Sequence, residues 1–246
     1  MHIIKLNAID STNTFLKEMV KEKELKSYTV VLAESQLQGR GQMGSVWSSE
    51  PGKNLTFSVF IKLKDFRLMD AVYLNYAVSL AIYEVLMANK VPKLAIKWPN
   101  DILAGNSKIG GLLIENSVAQ GKIQSAIIGL GLNVNQLHFS NDLKNVASLK
   151  RVLGFDLDKE KLLNELLKVI QEQLTKCMPQ NFKNIKDSYV SRLYKKEIPS
   201  MFKKRDGSVF LGKIAGVSEL GELEIELEDG SLQCFGIKEV QFLDRT

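Results

Sequence analysis

The 246-residue sequence predicts an α+β protein: a mixed, mostly antiparallel sheet with packed helices, followed by a small antiparallel β-barrel. Three observations predict it. Apolar strand-like runs are joined by turn-rich tetrapeptides, "AGNS" and "AQGK", which argues for hairpins. Between them lie segments whose apolar residues recur at helical spacing. From about Pro199 onward the composition changes to short β-like runs, "SVFLGKIAGV", "ELEIELE", "SLQCFGI" and "VQFL", separated by glycine and acidic turns. The expected division is residues 1–195 for the mixed domain and 196–246 for the β domain.

"HIIKLNAID" reads as a strand. It runs into "DSTNTFLKEMVKE", where Asp10, Ser11 or Thr12 can cap a helix whose apolar side carries Phe15, Leu16, Met19 and Val20. "YTVVLAES" is β-rich and leads into a glycine loop. "NLTFSVFIKL" alternates Leu55, Phe57, Val59, Ile61 and Leu63, the mark of a half-buried strand. "LMDAVYLNYAVSLAIYEVLMANK" predicts a long apolar helix, kept from being a membrane span by Asp70, Asn75 and Glu84. "KLAIKWPNDILAGNSKIGGLLIENSV" predicts a hairpin around "AGNS", and "IQSAIIGLGLNVN" a further strand. "DKEKLLNELLKVIQEQLTKCM" and "FKNIKDSYVSRLY" are helices by their spacing.

Composition narrows the function classes. No segment resembles a signal peptide, and no window reaches the roughly 18 consecutive apolar residues of a membrane span. Cys177 and Cys234 match no metal or redox spacing, so a reduced, cytoplasmic compartment is expected. The formal net charge is +5, but the basic residues are scattered or gathered in "LYKKEIPSMFKKRDG". That favours a solvated basic face, or attraction to acidic partners and phosphates, over dedicated nucleic-acid binding. His2 and His138 are the only histidines, too few for a Ser-His-Asp mechanism or a histidine-ligated metal. Chemistry here should rest on lysine, arginine and backbone N–H groups.

"GRGQMGSVW", residues 39–47, fits two phosphate-binding fingerprints by its letters. A dinucleotide-binding reading needs a helix after the glycine turn, yet Pro51 and Gly52 follow. A kinase reading needs H-R-D and D-F-G, and neither occurs. Local physics remains: Gly39, Gly41 and Gly44 let the backbone approach a ligand, Arg40 adds charge, and Trp47 offers a flat face. The alternative is a mobile surface loop. Downstream, Lys97 and Lys108 sit at opposite ends of the predicted hairpin, beside Asn100 and Asp101. Those two polar residues fit a ligand site or an Asx-type turn. Gly110 and Gly111 interrupt the next strand, as paired glycines do where something passes close to the backbone. "GLGLNVN" sets Asn133 and Asn135 among glycines at a third strand end. The three ends could converge on one anionic, partly apolar ligand.

"DSTN", "ESQLQGRGQMGSVW", "KWPNDIL", "KIGGLLIE" and "GLGLNVN", in this order and spacing, resemble the biotin protein ligase family over residues from about 8 to 135. The resemblance implies an SH3-like C-terminal barrel. It also implies an ATP-dependent enzyme that makes biotinyl-5′-AMP and passes biotin to one lysine of a biotin carboxyl carrier protein. Biotin and ATP are then substrates, with Mg²⁺ expected alongside ATP but no dedicated protein cage for it. Residue by residue, the resemblance assigns Ser11, Thr12, Asn13 and Gln36 to the biotin end. Gly39, Arg40, Gly41 and Gln42 form the loop that closes over biotin and the adenylate phosphate. Lys108 contacts the reacting carboxylate and phosphate, and Gly111 gives the ligand room. Trp47, Asn100 and Asn133, with Arg40 and Lys108, belong to the ATP and adenylate side.

Lys108, Arg40 and Asp101 are the implied catalytic residues. A carboxylate attacking an α-phosphate brings anions together, which calls for fixed positive charge. In the second step Asp101 could accept or orient the proton of the attacking lysine, unless it serves only the turn. Gln42 departs from the family pattern, where many relatives carry a second basic residue. This implies weaker electrostatic retention of the adenylate.

Some family members carry an N-terminal DNA-binding domain. Here "DSTN" begins at residue 10, so DNA binding is not expected, nor is a membrane partner. An edge strand could pair with its twin to form a homodimer, though no motif decides it. Two rivals remain: a lipoate or octanoate ligase or transferase of the same fold, and a non-enzymatic binding module built on the C-terminal β domain.

Overall fold

The computed structural model describes residues 1–243; the last three residues of the expected β domain lie outside the described residues. Strand β1 (His2–Ile9) leads into helix α1 (Thr12–Glu22) and strand β2 (Thr29–Gln36), a crossover that leaves β1 and β2 parallel. Ser11 is the N-cap, with its hydroxyl accepting from Thr14 N–H. Next come β3 (Leu55–Arg67), α2 (Ala71–Ala88), β4 (Leu94–Lys97), β5 (Asp101–Ala104), β6 (Ser107–Ala119) and β7 (Lys122–Leu132). These strands form one seven-stranded sheet in the order β1-β2-β3-β7-β6-β5-β4, antiparallel except for β1 with β2. Three helices follow: α3 (Leu149–Leu153), α4 (Lys159–Lys176) and α5 (Phe182–Val190).

A second sheet holds β8 (Ser200–Lys204), β9 (Val209–Val217), β10 (Leu223–Leu227), β11 (Leu232–Phe235) and β12 (Val240–Phe242). It is antiparallel throughout, in the order β11-β10-β9-β8-β12, and among the described residues its two edge strands do not pair with each other. The C-terminal antiparallel sheet is therefore present as expected, with one strand, β8, that the sequence reading passed over. "SMFKK" lacks the apolar alternation that marks its neighbours.

The expected hairpin around "AGNS" is larger than the reading allowed. The apolar run 94–104 is two strands, β4 and β5, which turn back on each other at Trp98–Asn100 and pair Lys97 with Asp101. Lys97 and Lys108 are thus not at opposite ends. Both lie beside Asp101, because β5 pairs with β4 on one side and with β6 on the other.

The expectation of a half-buried β3 also needs correction, since every residue from Leu55 to Ile61 is buried. Alternation along the central strands sorts their side chains between two faces. Phe57, Val59 and Ile61, with Leu130 and Leu132, pack under α2 and α4 in the main core. Phe60, Val31 and Ile127 face the other way and join Leu16 and Met19 of α1 in a smaller cluster. Thr56 and Ser58 point to that second face too, so both faces of β3 are covered.

Helix α2 with its preceding turn, Leu68–Ala88, is long and apolar enough to cross a membrane by length and composition. It is the central core helix, buried at Tyr73, Leu74, Tyr76, Ala77, Val78 and others. The polar residues that argued against a span each have a local partner. Asp70 accepts twice from Arg67 (2.7 and 2.9 Å), Asn75 donates to the Pro99 carbonyl (2.7 Å), and Glu84 accepts from Gln173 (3.0 Å).

The main core does not stop at the first sheet. Phe202, Ile214, Val217, Leu223, Ile225 and Phe235 of the second sheet belong to the same continuous cluster. Gly221 approaches α2 so closely that a Cβ there would lie 2.5 Å from Val72 Cγ1.

Both cysteines are free thiols. Cys177 is buried, which pushes its thiol up to about 12, while Cys234 is exposed. A thiol reagent at mildly alkaline pH should therefore titrate one cysteine in the native protein and the second only after denaturant is added. Two fast equivalents without denaturant would contradict the burial of Cys177.

Candidate active site

The second face of the sheet is where side chains run out. Gly129 and Gly131 of β7, Thr56 and Ser58 of β3, and Gly111 of β6 all fall on it. Small residues there leave a floor of backbone beside α1. Above this floor lies a cleft of about 480 Å³.

Its walls gather the expected residues. Ser11, Thr12, Asn13, Gln36, Arg40, Gly41, Gln42, Trp47, Asn100, Asp101, Lys108 and Gly111 all line the cleft. Two of the three strand ends bring their charged and polar groups to the cleft, while the third contributes Gly129 and Gly131 but neither Asn133 nor Asn135. Gly39 and Asn133 are not among the lining residues.

At one end the start of α1 is locked to the sheet. Gln36 Oε1 accepts from Thr12 N (2.8 Å) and Thr12 Oγ1 (3.0 Å). The Ser58 hydroxyl lies 2.7 Å from Thr12 Oγ1 and 2.5 Å from Asn13 Oδ1, and its single proton serves one of them at a time. Asn13 Nδ2 donates to Glu115 Oε2 at 3.0 Å. A Cβ on Gly129 would sit 2.4 Å from Asn13 Oδ1, so only glycine lets this amide lie flat on β7. Ser58 and Glu115 were missed by the sequence reading. A serine alternating with large apolar residues in β3 was the available signal for the first; for Glu115 there was none.

Residues 39–47 form a small closed hairpin. Gly41 N donates to Ser45 O (2.7 Å), Trp47 N donates to Gly39 O (2.9 Å), and Arg40 pairs with Val46. Gly44 turns the tip with φ +79°. Gly39 is needed inside the hairpin, where a Cβ would lie 2.2 Å from the Trp47 carbonyl oxygen. Its role is to let the two arms meet. Arg40 reaches across to Glu115 Oε2 at 3.0 Å.

Trp47 lies over β7, where a Cβ on Gly131 would come within 2.3 Å of its ring. Its indole N–H is buried with no partner. Lys108 Nζ stands 5.7 Å from the Trp47 ring centroid and 2.7 Å from Asp101 Oδ1. The space left by Gly111 is filled by that pair, since a Cβ there would lie 3.3 Å from Lys108 Nζ and 3.4 Å from Asp101 Oδ1.

The Trp98–Asn100 turn is held from several sides. The Pro99 carbonyl accepts from Asn75 of α2 and from Tyr189 of α5 (2.9 Å), and Trp98 Nε1 donates to the Gly221 carbonyl (2.9 Å). Complete burial raises the Tyr189 phenol well above its ordinary pKa, with Tyr76 and Asp101 adding to the effect, so it remains a donor. The Asn100 amide donates to the Leu112 carbonyl. Asn133 is buried behind the cleft; its Nδ2 donates to the Ala147 carbonyl (3.1 Å), and its Oδ1 has no partner. Orphaned buried polar atoms are uncommon, and Trp47 and Asn133 supply one donor and one acceptor.

Among the described residues no cluster of three carboxylate, histidine or cysteine side chains gathers anywhere. Among the described residues Asp101 is the one carboxylate lining the cleft, and it is paired with Lys108. Mg²⁺ arriving with ATP would take most of its ligands from the phosphates and water.

Residues 6–133 match the model of the biotin/lipoate A/B protein ligase family. The chain is 30% identical over 233 residues to the bifunctional ligase/repressor BirA of Bacillus spizizenii, covering 93% of this chain and 70% of that protein. It is 27% identical over 189 residues to the biotin–[acetyl-CoA-carboxylase] ligase of Paracoccus denitrificans, covering 74% and 77%. Among solved structures, the biotin protein ligase of Aquifex aeolicus in complex with biotin and ATP superposes with a TM-score of 0.79, at 28% identity and 98% coverage of both chains. With the motifs in order, the cleft formed and the match running over both sheets, the chain belongs to the biotin/lipoate A/B protein ligase family.

Proposed function

We propose that the protein is an ATP-dependent biotin protein ligase, which joins biotin to ATP as biotinyl-5′-AMP and then transfers biotin to a lysine of a biotin carboxyl carrier protein. The observation that carries the site reading is the placement of Arg40 and Lys108. These two cations stand in one cleft, between the polar network of Thr12, Asn13 and Gln36 and the indole of Trp47.

Each residue's part follows from its chemistry. Thr12, Asn13 and Gln36, with Ser11 capping the helix that presents two of them, hold the polar end of biotin. Lys108 and Arg40 stabilise the negative charge that builds up when the carboxylate oxygen attacks the α-phosphorus and pyrophosphate departs. The closed hairpin of Gly39, Gly41 and Gln42 carries Arg40 to that point. Trp47 supplies a face for the adenine ring, and Asn133, buried behind the cleft, belongs to the adenylate side by the family resemblance alone. The Asn100 amide fixes the turn that carries Asp101. In the second step the substrate lysine attacks the acyl carbon as a neutral amine, and Asp101 takes its proton as AMP leaves. Residues 1–195 carry this machinery, with 196–246 as a β domain set against it. The cytoplasm is the compartment we propose, in keeping with two free thiols.

The test is biotin-dependent pyrophosphate release from ATP and Mg²⁺, with lipoate and octanoate offered separately. Biotin alone should support it. Release with lipoate or octanoate instead would move the protein to the other acyl branch of its family. Silence with all three would overturn the enzyme reading.

A further inference from the structure

Among the described residues, three donors from two elements converge on Glu115, a carboxylate that stands just outside the cleft. Its Oε2 accepts from Asn13 Nδ2 of α1 and from Arg40 Nη2 of the glycine hairpin, each at 3.0 Å. Its Oε1 accepts from Lys17 Nζ of α1 at 3.4 Å. Alternation along β6 puts Gly111, Leu113 and Glu115 on one face, with their ladder partners Gly131, Gly129 and Ile127 beside them. Gly111 and Leu113 line the cleft; Glu115, one step further along, does not. A carboxylate next to the buried Ile127 loses hydration, and it is tolerated there because charged donors surround it.

The pair is unequal. The Glu115 side chain is 23% exposed and the Arg40 side chain 44%. Arg40 is also the only charged residue between Gly39 and Trp47, since its neighbour Gln42 is neutral. A half-exposed arginine on a hairpin has many rotamers to lose before it can act on a phosphate. The bond to Glu115 removes that freedom beforehand. It engages one terminal nitrogen, and a guanidinium carries five N–H donors, so the rest of the fork stays available to the cleft. Lys17 settles the charge. Two cations around one carboxylate leave the cluster at net +1, so the tether holds Arg40 without cancelling the positive field that a phosphate would meet.

We infer that Glu115 is a positioning residue for adenylate formation: it fixes the Arg40 guanidinium over the cleft before the nucleotide arrives, with α1 as its anchor. The inference rests on the ligase reading and on the part of Arg40 within it. Glu115 acts through Arg40 and not on the substrates. Glutamine at this position keeps an oxygen to which Asn13 Nδ2 can donate, but it loses the charge that draws Arg40 and Lys17. Biotin binding should then be kept while the placement of Arg40 is lost.

A double-mutant cycle separates this role from a merely structural one. Wild type, Glu115→Gln, Arg40→Ala and the double variant are compared in single-turnover formation of biotinyl-5′-AMP at saturating biotin and ATP. They are also compared in the release of biotinyl-5′-AMP already bound, with biotin affinity by isothermal titration and a thermal melt alongside. Glu115→Gln should slow adenylate formation and speed adenylate release about three- to tenfold each, as expected for a partly exposed charge-assisted bond. Biotin affinity and the melt should stay close to wild type. In the Arg40→Ala background the same substitution should alter neither rate. Equal effects in both backgrounds, or a change confined to biotin affinity or the melt, would overturn the positioning role. Faster adenylate formation by Glu115→Gln would overturn it too, because the carboxylate would then be restraining Arg40. If Arg40→Ala alone changes nothing, the part given to Arg40 fails and the inference with it. A wild-type protein that makes no adenylate overturns the ligase reading itself, and that is seen before any variant is made.

Discussion

Lys108→Ala should lower the rate of adenylate formation by about 10²–10³-fold or more, the loss typical of removing one preorganised charge from a developing anion. Several contacts fix this lysine. Its backbone N–H donates to the Asn145 carbonyl (2.7 Å), and its carbonyl accepts from Ala147 N (3.0 Å). The β5–β6 register shifts between Ile102 and Leu103, and the ammonium meets Asp101 across the ladder. The backbone bonds survive the substitution, so the fold should be kept. Alanine leaves Asp101 unpaired but still partly solvated, which limits the structural cost. Biotin-dependent pyrophosphate release by the purified variant, with a thermal melt alongside it, checks both halves of this expectation. A variant that adenylates biotin within a factor of ten of wild type would remove Lys108 from the reaction.

Gly129→Ala should cost biotin affinity by a similarly large factor, about 10²-fold or more in KM, and stability by about 1–3 kcal/mol. The added methyl would start 2.4 Å from Asn13 Oδ1 and 3.0 Å from Asn13 Cγ. Asn13 cannot swing clear, because it is buried and tied to Ser58 and Glu115. Either the amide leaves this network or α1 lifts from β7, and both disturb Thr12 and Gln36. Isothermal titration with biotin reads the affinity. A control at Gly121, in the β6–β7 turn, meets nothing within 4 Å, and alanine there tests only its positive φ of 72°. Unaltered biotin binding by Gly129→Ala would place biotin elsewhere in the cleft.

Much of this was legible in the sequence, because the signals were local. Asp10, Ser11 or Thr12 before an apolar helical face marked the start of α1, and Ser11 is the cap. The 3.6-residue spacing of α4 and the turn at Gln120–Gly121 need no tertiary information. The glycine hairpin and the "KWPND" turn read as site elements through five linked motifs. What was hidden depends on long-range placement. Lys97 and Lys108 come to flank Asp101 only because the run 94–104 folds back on itself; the turn at "KWPND" was legible, but not that the strands on either side of it pair with each other. Ser58 and Thr56 looked like polar positions on an exposed face; α1 and the cleft cover that face. Lys238 is 195 residues from its acceptor Met43, and no periodicity reports such a contact. Five-residue α3 and the lysine-rich β8 are too short and too polar to stand out.

The continuous core beneath the two sheets bears on modularity. Gly221 against Val72, Trp98 tied to the Gly221 carbonyl, and Phe202 and Phe235 packed into the cluster that holds Phe57 mean that neither sheet finishes its own interior. The expected boundary near residue 195 therefore falls within one continuous hydrophobic core. Exchanging the C-terminal sheet for a relative's would then require the face of α2 at Val72 and the Trp98 turn to be matched to it.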